Sequence, residues 1–351
     1  ELMNKLSTYF ILFIAILNSF ISCKKDEPPI KPSANITSGG SGFVYVLNEG
    51  NFMASNGSIT RLNLSDGSIV SDFYSTQNNG FQIGDVPQSM TLHNGKFYVV
   101  VNNSSKIEIL DRYTFQKIGQ ITGLTSPRYF LPISNNKAYV TDLYSNTISL
   151  VDLNSNLVVS TIAVNGWSEE MHQVYGKVFV TSKNTNKLYV INAQNDQLQD
   201  SITIGFGASG IVEDKFGKIW LLCSGDQTSQ IAKLVRIDPI NLSIDSSFVF
   251  SSISNNPFRL SINGNKDELF FLDNAGVFKM NVSASFPSSP IIPKGNKNFY
   301  SLGIDPQNGN IYISDAIDFN QNGKIYRYNN SGNPIDQFYC GIIPGFIFFD
   351  K

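Results

Sequence analysis

Short apolar runs, most with polar residues at alternate positions, recur along almost the whole chain, and they come in sets of four. The clearest set reads Ser126-Pro-Arg-Tyr-Phe, then Lys137-Ala-Tyr-Val-Thr-Asp, then Asn146-Thr-Ile-Ser-Leu-Val-Asp, then Leu157-Val-Val-Ser-Thr-Ile. The next carries Lys177-Val-Phe-Val-Thr-Ser, Lys187-Leu-Tyr-Val-Ile-Asn and Leu198-Gln-Asp-Ser-Ile-Thr-Ile. A period of two over runs this short is the pattern of β-strands, and the Asn, Gly and Ser clusters between them supply turns. Long helical patterns are absent. Four strands recurring about every forty residues predict the blades of a β-propeller.

The innermost strands, nearest the axis, are predicted to begin near Pro87, Ser126, Trp167, Gly207, Pro257 and Asn298. Second strands follow as Phe97-Tyr-Val-Val-Val, Ala138-Tyr-Val-Thr, Val178-Phe-Val-Thr, Ile219-Trp-Leu-Leu, Leu269-Phe-Phe-Leu and Ile311-Tyr-Ile-Ser. Turns such as Asn94-Gly95 and Asn308-Gly309 introduce them. Third strands such as Lys106-Ile-Glu-Ile-Leu-Asp and Lys324-Ile-Tyr-Arg-Tyr alternate apolar and polar residues, as strands packed between blades should. That makes six full blades. Phe43-Val-Tyr-Val-Leu has the second-strand pattern with no inner strand before it, and Ile343-Pro-Gly-Phe-Ile-Phe-Phe349 has the inner-strand pattern with nothing after it. Pairing the two completes a seventh blade and removes both free edges. The expected fold is therefore all-β: a seven-bladed propeller of four-stranded antiparallel blades over residues 43–351, closed by pairing of the C-terminal strand with the N-terminal blade.

Composition narrows the partners. Of 351 residues only 15% are charged, with a net charge of -2. No basic patch accompanies this balance, so nucleic acid is excluded as a partner. Ahead of the repeats stand Met3, Lys5 and the apolar stretch Leu6–Ile21, which is shorter than the roughly 20 residues a spanning helix needs. Phe20-Ile-Ser-Cys23 resembles a bacterial lipobox, with Phe20 in place of the usual Leu. Residues 1–22 are accordingly expected to be a lipoprotein signal peptide and Cys23 the lipidated residue. Lys24-Lys-Asp-Glu27 resembles the surface-export signal of Bacteroidetes lipoproteins. Residues 23–42, rich in Pro, Ser and Gly, read as a flexible tether. The expected location is the outer membrane, lipid-anchored and facing outward.

Tyr139-Val-Thr-Asp together with Asn146-Thr-Ile-Ser-Leu-Val-Asp resembles the repeat of the YVTN or YncE-like seven-bladed propellers, over about residues 43–349. Leu47-Asn-Glu-Gly-Asn-Phe52, Gly84-Asp-Val-Pro-Gln-Ser-Met90, Gly123-Leu-Thr-Ser-Pro-Arg-Tyr129 and Asp315-Ala-Ile-Asp-Phe319 resemble the DUF5074 group of propeller lipoproteins. That resemblance implies surface capture of cobalamin, or another corrinoid, for a TonB-dependent outer-membrane transporter. The alternatives are a protein- or glycan-interaction scaffold of the envelope and a lactonase- or dehydrogenase-like propeller enzyme.

In such propellers one face collects the loops entering the inner strands and those joining second to third strands. Here they carry the candidate ligand-binding residues Glu49, Asn51, Phe52, Gln88, Asn103, Arg128, Tyr129, Tyr144, Trp167, Glu170, Arg259, Tyr300 and Asp315. Aromatic faces would cover the apolar area of a corrin, and Asn, Gln and Arg would meet its amide fringe. No protein cofactor is expected. G-x-S-x-G, H-E-x-x-H and P-loop motifs are absent, so no catalytic residue is assigned. The adjacent acids Glu169 and Glu170 would point apart on a regular strand, which argues against an acid–base pair. Asp318-Phe-Asn-Gln-Asn-Gly323 has the spacing of a calcium loop, but Asn329 stands where the bidentate Glu belongs, and a turn is expected. Cys223 and Cys340 lie in different repeats and read as buried free thiols.

Overall fold

The computed structural model describes residues 40–351. The signal-peptide assignment, the lipidated Cys23 and all but the last residues of the tether lie outside the described residues. Seven four-stranded antiparallel sheets account for the described chain. Blade 1 joins Phe43–Asn48, Ser58–Asn63 and Ile69–Val70 to the terminal strand Pro344–Asp350. Blades 2 to 7 occupy residues 87–121, 127–163, 168–203, 208–249, 258–293 and 299–342. Their inner strands are Pro87–His93, Pro127–Ser134, Ser168–Val174, Ala208–Glu213, Phe258–Ile262 and Phe299–Ile304, each starting at or one residue after the predicted position. These strands and Pro344–Asp350 adjoin one another in sequence, with the last against the first, so the ring is closed.

Burial follows distance from the rim. Second strands such as Ile219–Cys223 and Ile311–Asp315 are buried along their whole length, because neighbouring blades cover both faces. Outer strands such as Gln197–Thr203 are mostly exposed and correspondingly polar. Third strands depart from the expected alternation. Asn322–Tyr328 alternates, but Ile107–Leu110 and Leu188–Ile191 are buried throughout. Their polar member Glu108 is accommodated by ion pairs to Lys106 and to Lys117 at 2.9 Å.

Two periodic devices hold the repeats. Asn63, Asp111, Asp152, Asn192, Asp238, Asn281 and Asn329 end the third strands or follow directly, and each side chain accepts the backbone N–H two residues on. This Asx turn starts the hairpin to the outer strand in every blade. Between blades, inner-strand hydroxyls reach the next inner strand's carbonyls. Ser89 donates to Arg128, Thr91 to Phe130, Ser261 to Leu302 and Ser301 to Pro344, at 2.7–3.4 Å.

The terminal strand is clasped from three sides. It pairs antiparallel with Phe43–Asn48 in the register Val44↔Phe349 to Leu47↔Phe346. Phe348 packs on Phe97 of blade 2 and Phe349 on Tyr312 of blade 7, with ring centroids 5.9 and 5.1 Å apart. Asp350 pairs with Arg112 at 2.6 Å and Lys351 with the buried Asp305 at 2.9 Å. Burying three of these apolar side chains contributes about 5–9 kcal/mol, against a total domain stability of about 5–15 kcal/mol. Deleting residues 343–351 is therefore expected to abolish the cooperative thermal transition followed by circular dichroism. An unchanged melting temperature would refute closure by this strand.

Candidate functional site

The mouth of the axial channel is built by one repeated irregularity. Each inner strand carries a register shift near its start: Pro87 to Ser89, Pro127 to Phe130, Ser168 to Met171, Ala208 to Gly210, Phe258 to Ser261 and Phe299 to Leu302. The terminal strand repeats it between Pro344 and Phe346. A bulge breaks the in–out alternation and re-aims side chains. Gln88, Arg128, Tyr129, Glu169, Glu170, Ser209, Arg259 and Tyr300 thereby line one cavity of about 660 Å³, joined by Glu49 of blade 1. Glu169 and Glu170 both reach it, contrary to the regular-strand expectation. Gly345 makes room for Glu49: a Cβ there would lie 2.3 Å from its carboxylate oxygen.

The polar groups are fixed by one another. Arg128 donates from Nε and Nη2 to Glu169 at 3.0–3.1 Å, and from Nη1 to Gln88. Glu169 is only 2% exposed, so this is a buried ion pair. Both Glu49 carboxylate oxygens accept from the Tyr300 hydroxyl at 3.1 Å. Arg259 donates from Nε to the Tyr300 carbonyl at 3.2 Å and sits 5.7 Å from the Tyr300 ring centre. Glu170 accepts the Ile211 N–H of blade 5 at 3.2 Å. Two guanidinium groups thus face three carboxylates. Burial pushes Glu170 up to about 7, against the opposing pull of the Ile211 N–H and Arg259, with the Glu169 charge adding to the rise. Burial likewise raises Glu49, opposed by Arg259 and Tyr300. Burial and the Glu49 charge push the Tyr300 phenol up to about 12. Above this network Trp167, 40% exposed, lines the rim, with Tyr144 edge-on at 5.9 Å.

Eight of the thirteen candidate residues line this cavity: Glu49, Gln88, Arg128, Tyr129, Trp167, Glu170, Arg259 and Tyr300. Tyr144 only buttresses Trp167. Asn51 bonds Asn56 and the Phe319 carbonyl, Phe52 is exposed on its loop, and Asn103 donates to Asp85; none lines the cavity. Asp315 is occupied by the backbone N–H groups of Asn298 and Ile317, both at 2.9 Å. Asp142 and Asp273 close second strands of other blades in the same way, so this carboxylate belongs to the repeat. Lys183, Asn184, Phe206, Asp226 and Gln227 complete the wall without having been singled out. Blade 5 offers only Ser209 and Gly210 at its bulge, and the cavity extends there towards its second-to-third-strand loop. That loop class is the legible signal for Lys183 and Asp226.

Elsewhere, a larger concavity of about 820 Å³ lies between blades 3 and 4 at the other end of the inner strands. Its lysines are already engaged, Lys137 with Asp196 and Lys177 with the Pro239 carbonyl. Asp318 accepts the N–H groups of Asn320 and Gln321, forming a turn, and Asn322–Gly323 already belong to a strand. Among the described residues no group of three or more His, Cys, Asp or Glu could hold a metal ion. Cys223 and Cys340 are buried and free.

Residues 41–342 match the family described as "Domain of unknown function (DUF5074)". The chain belongs to the DUF5074 family. No curated protein matches it. Among solved structures, this DUF5074 chain is similar to a quinonprotein alcohol dehydrogenase-like protein from Bacteroides thetaiotaomicron, at 16% identity and TM-score 0.70, covering 88% of this chain and 78% of that one. A functionally unknown protein from Desulfotomaculum acetoxidans matches at 12% identity and TM-score 0.66, covering 88% and 99%. Streptogramin B lyase matches at 13% identity and TM-score 0.57, covering 72% and 82%. Such low identities establish a shared fold, and the mixed descriptions carry no activity across.

Glu170 gives the site a pH signature. Between about pH 4.5 and 7 the folded chain binds more protons at Glu170 than the unfolded chain does, so its ionisation lowers stability as pH rises through that window. The effect is about 2–3 kcal/mol at pH 8 relative to pH 4.5. Glu170→Gln is expected to remove this slope when urea unfolding is compared at pH 5 and pH 8. Parallel pH dependence in the two proteins would show that Glu170 ionises normally.

Proposed function

We propose that this propeller binds a small ligand at the channel mouth without transforming it, and that the ligand is a corrinoid. One observation carries the reading. All seven blades contribute to a single cavity whose polar groups are held in place by one another beneath an exposed aromatic rim. A site ordered before binding avoids the entropic cost of ordering it afterwards. Trp167 and Tyr129 offer apolar faces to a broad macrocycle, while Gln88, Asn184 and Asn256 offer amide partners for its fringe. On this reading the lipid at Cys23 holds the propeller on the outer membrane, and the ligand passes to a TonB-dependent transporter.

Glu170 favours a second reading. A carboxyl group near neutrality in a cleft has the acidity a general acid or base needs. Hydrolysis of a lactone would then be the activity, with Arg259 near the reacting carbonyl.

Purified protein mixed with cyanocobalamin and passed through a desalting column is expected to carry the pink colour with it. Trp167→Ala should weaken retention about ten- to thirtyfold with an unchanged melting temperature. Colourless protein at micromolar concentration rejects the corrinoid, and lactone turnover lost in Glu170→Gln would install the second reading in its place.

A further inference from the structure

Below the mouth the axis continues as a second cavity of about 410 Å³, lined by all seven inner strands. Its wall is somewhat more apolar than polar, with Leu131, Met171, Leu260, Leu302, Phe346 and Ile347 among the residues that line it. The hydroxyls on that wall are occupied: Thr91, Ser261 and Ser301 all donate to carbonyls of the neighbouring inner strand.

The two cavities share Tyr129, Glu170 and Arg259, so these residues form the junction. Around it, Arg128 is taken up by Glu169 and Gln88, and Glu49 by the Tyr300 hydroxyl. Arg259 differs. It donates only from Nε, to the Tyr300 carbonyl, and neither terminal amino group has an acceptor among the described residues. Its backbone is left-handed, with φ of 58°, a conformation costly for any residue bearing a side chain. The partly buried guanidinium lies near the Glu49 and Glu170 carboxyl groups but keeps an open edge, which can accept a further anionic group in a charge-assisted hydrogen bond.

We propose that the axial channel binds an amphiphile with one anionic head group, its head on the open edge of Arg259 and its apolar chain between the inner strands. Glu170 is largely protonated below pH 7 and does not repel the head there. At roughly 30 Å³ per methylene, the volume of a water, a chain of about ten carbons fits within the 410 Å³ of the channel. This inference does not rest on the corrinoid reading, because it concerns the shaft below the mouth.

The test is isothermal titration at pH 6 with hexanoate, octanoate and decanoate below their micellar concentrations, then decyl phosphate and decanol. Affinity should rise about fourfold per added methylene. Decanol should bind at least about tenfold more weakly than decanoate. Arg259→Gln should lower decanoate affinity to that of decanol while leaving decanol unchanged, and Arg259→Lys should restore part of it. Binding of decyl phosphate alongside decanoate would show that charge suffices, and binding of one alone would identify the head. Affinity independent of chain length, equal affinity for decanol and decanoate, or no saturation by either anion at about 1 mM would each overturn the proposal. Should Arg259→Gln fail to fold, the comparison of decanoate with decanol on the native protein decides. Loss of cyanocobalamin retention leaves these outcomes untouched.

Discussion

The antiparallel ladder between Phe43–Asn48 and Pro344–Asp350 is the contact on which the other features depend. It joins segments separated by nearly the whole domain. Loop-closure entropy grows only slowly with length, whereas each strand edge left open would carry unpaired backbone groups. The ion pairs of Asp350 with Arg112 and of Lys351 with Asp305 add charge complementarity on both flanks. The same strand brings Gly345 beneath Glu49 and Phe346 to the channel wall. Ring and site therefore share one closing element.

The site is a consequence of what seven bulged strands do when they converge. A regular strand would send every second side chain into a blade interface. The bulge frees consecutive residues, and seven bulges at one height concentrate arginine, glutamate and tyrosine where the channel opens. Burying that many charges is unfavourable unless they are paired. Arg128 and Glu169 meet that condition. Glu170 and Arg259 do so only in part, the one by an upward-shifted acidity and the other by an open guanidinium edge. Incomplete pairing at a concave junction is the place to look for a ligand.

Most of the architecture was legible because its signals are local and repeated. Continuous apolar second strands, Asn-Gly turns and the Asp or Asn after each third strand all have a direct physical meaning. Predicted inner-strand starts fell within one residue because Pro, Gly or Asn marks each entry. The mouth was legible as a set of loops, which recovered Arg128, Glu170 and Arg259. The bulges were not, since nothing in Trp167-Ser-Glu-Glu announces an unpaired residue, and so Glu169 and Glu170 were expected to diverge. Asp315 shows the converse: a carboxylate on the right loop is also what the repeat uses to hold its own backbone. Blade 5 shows a third limit, because a cavity opens where Ser209 and Gly210 are small, and an absence of bulk has no motif.

The central claim is that the ring is closed and its mouth preformed in the free protein. Native-state hydrogen exchange on the ligand-free chain tests it most directly. The account predicts that the amides of Ile347–Phe349 exchange only with global unfolding, at the same free energy as those of Tyr98–Val100 in the heart of blade 2. Exchange of the terminal strand at a markedly lower free energy, with blade 2 still protected, would mean that the ring opens on its own and would contradict it.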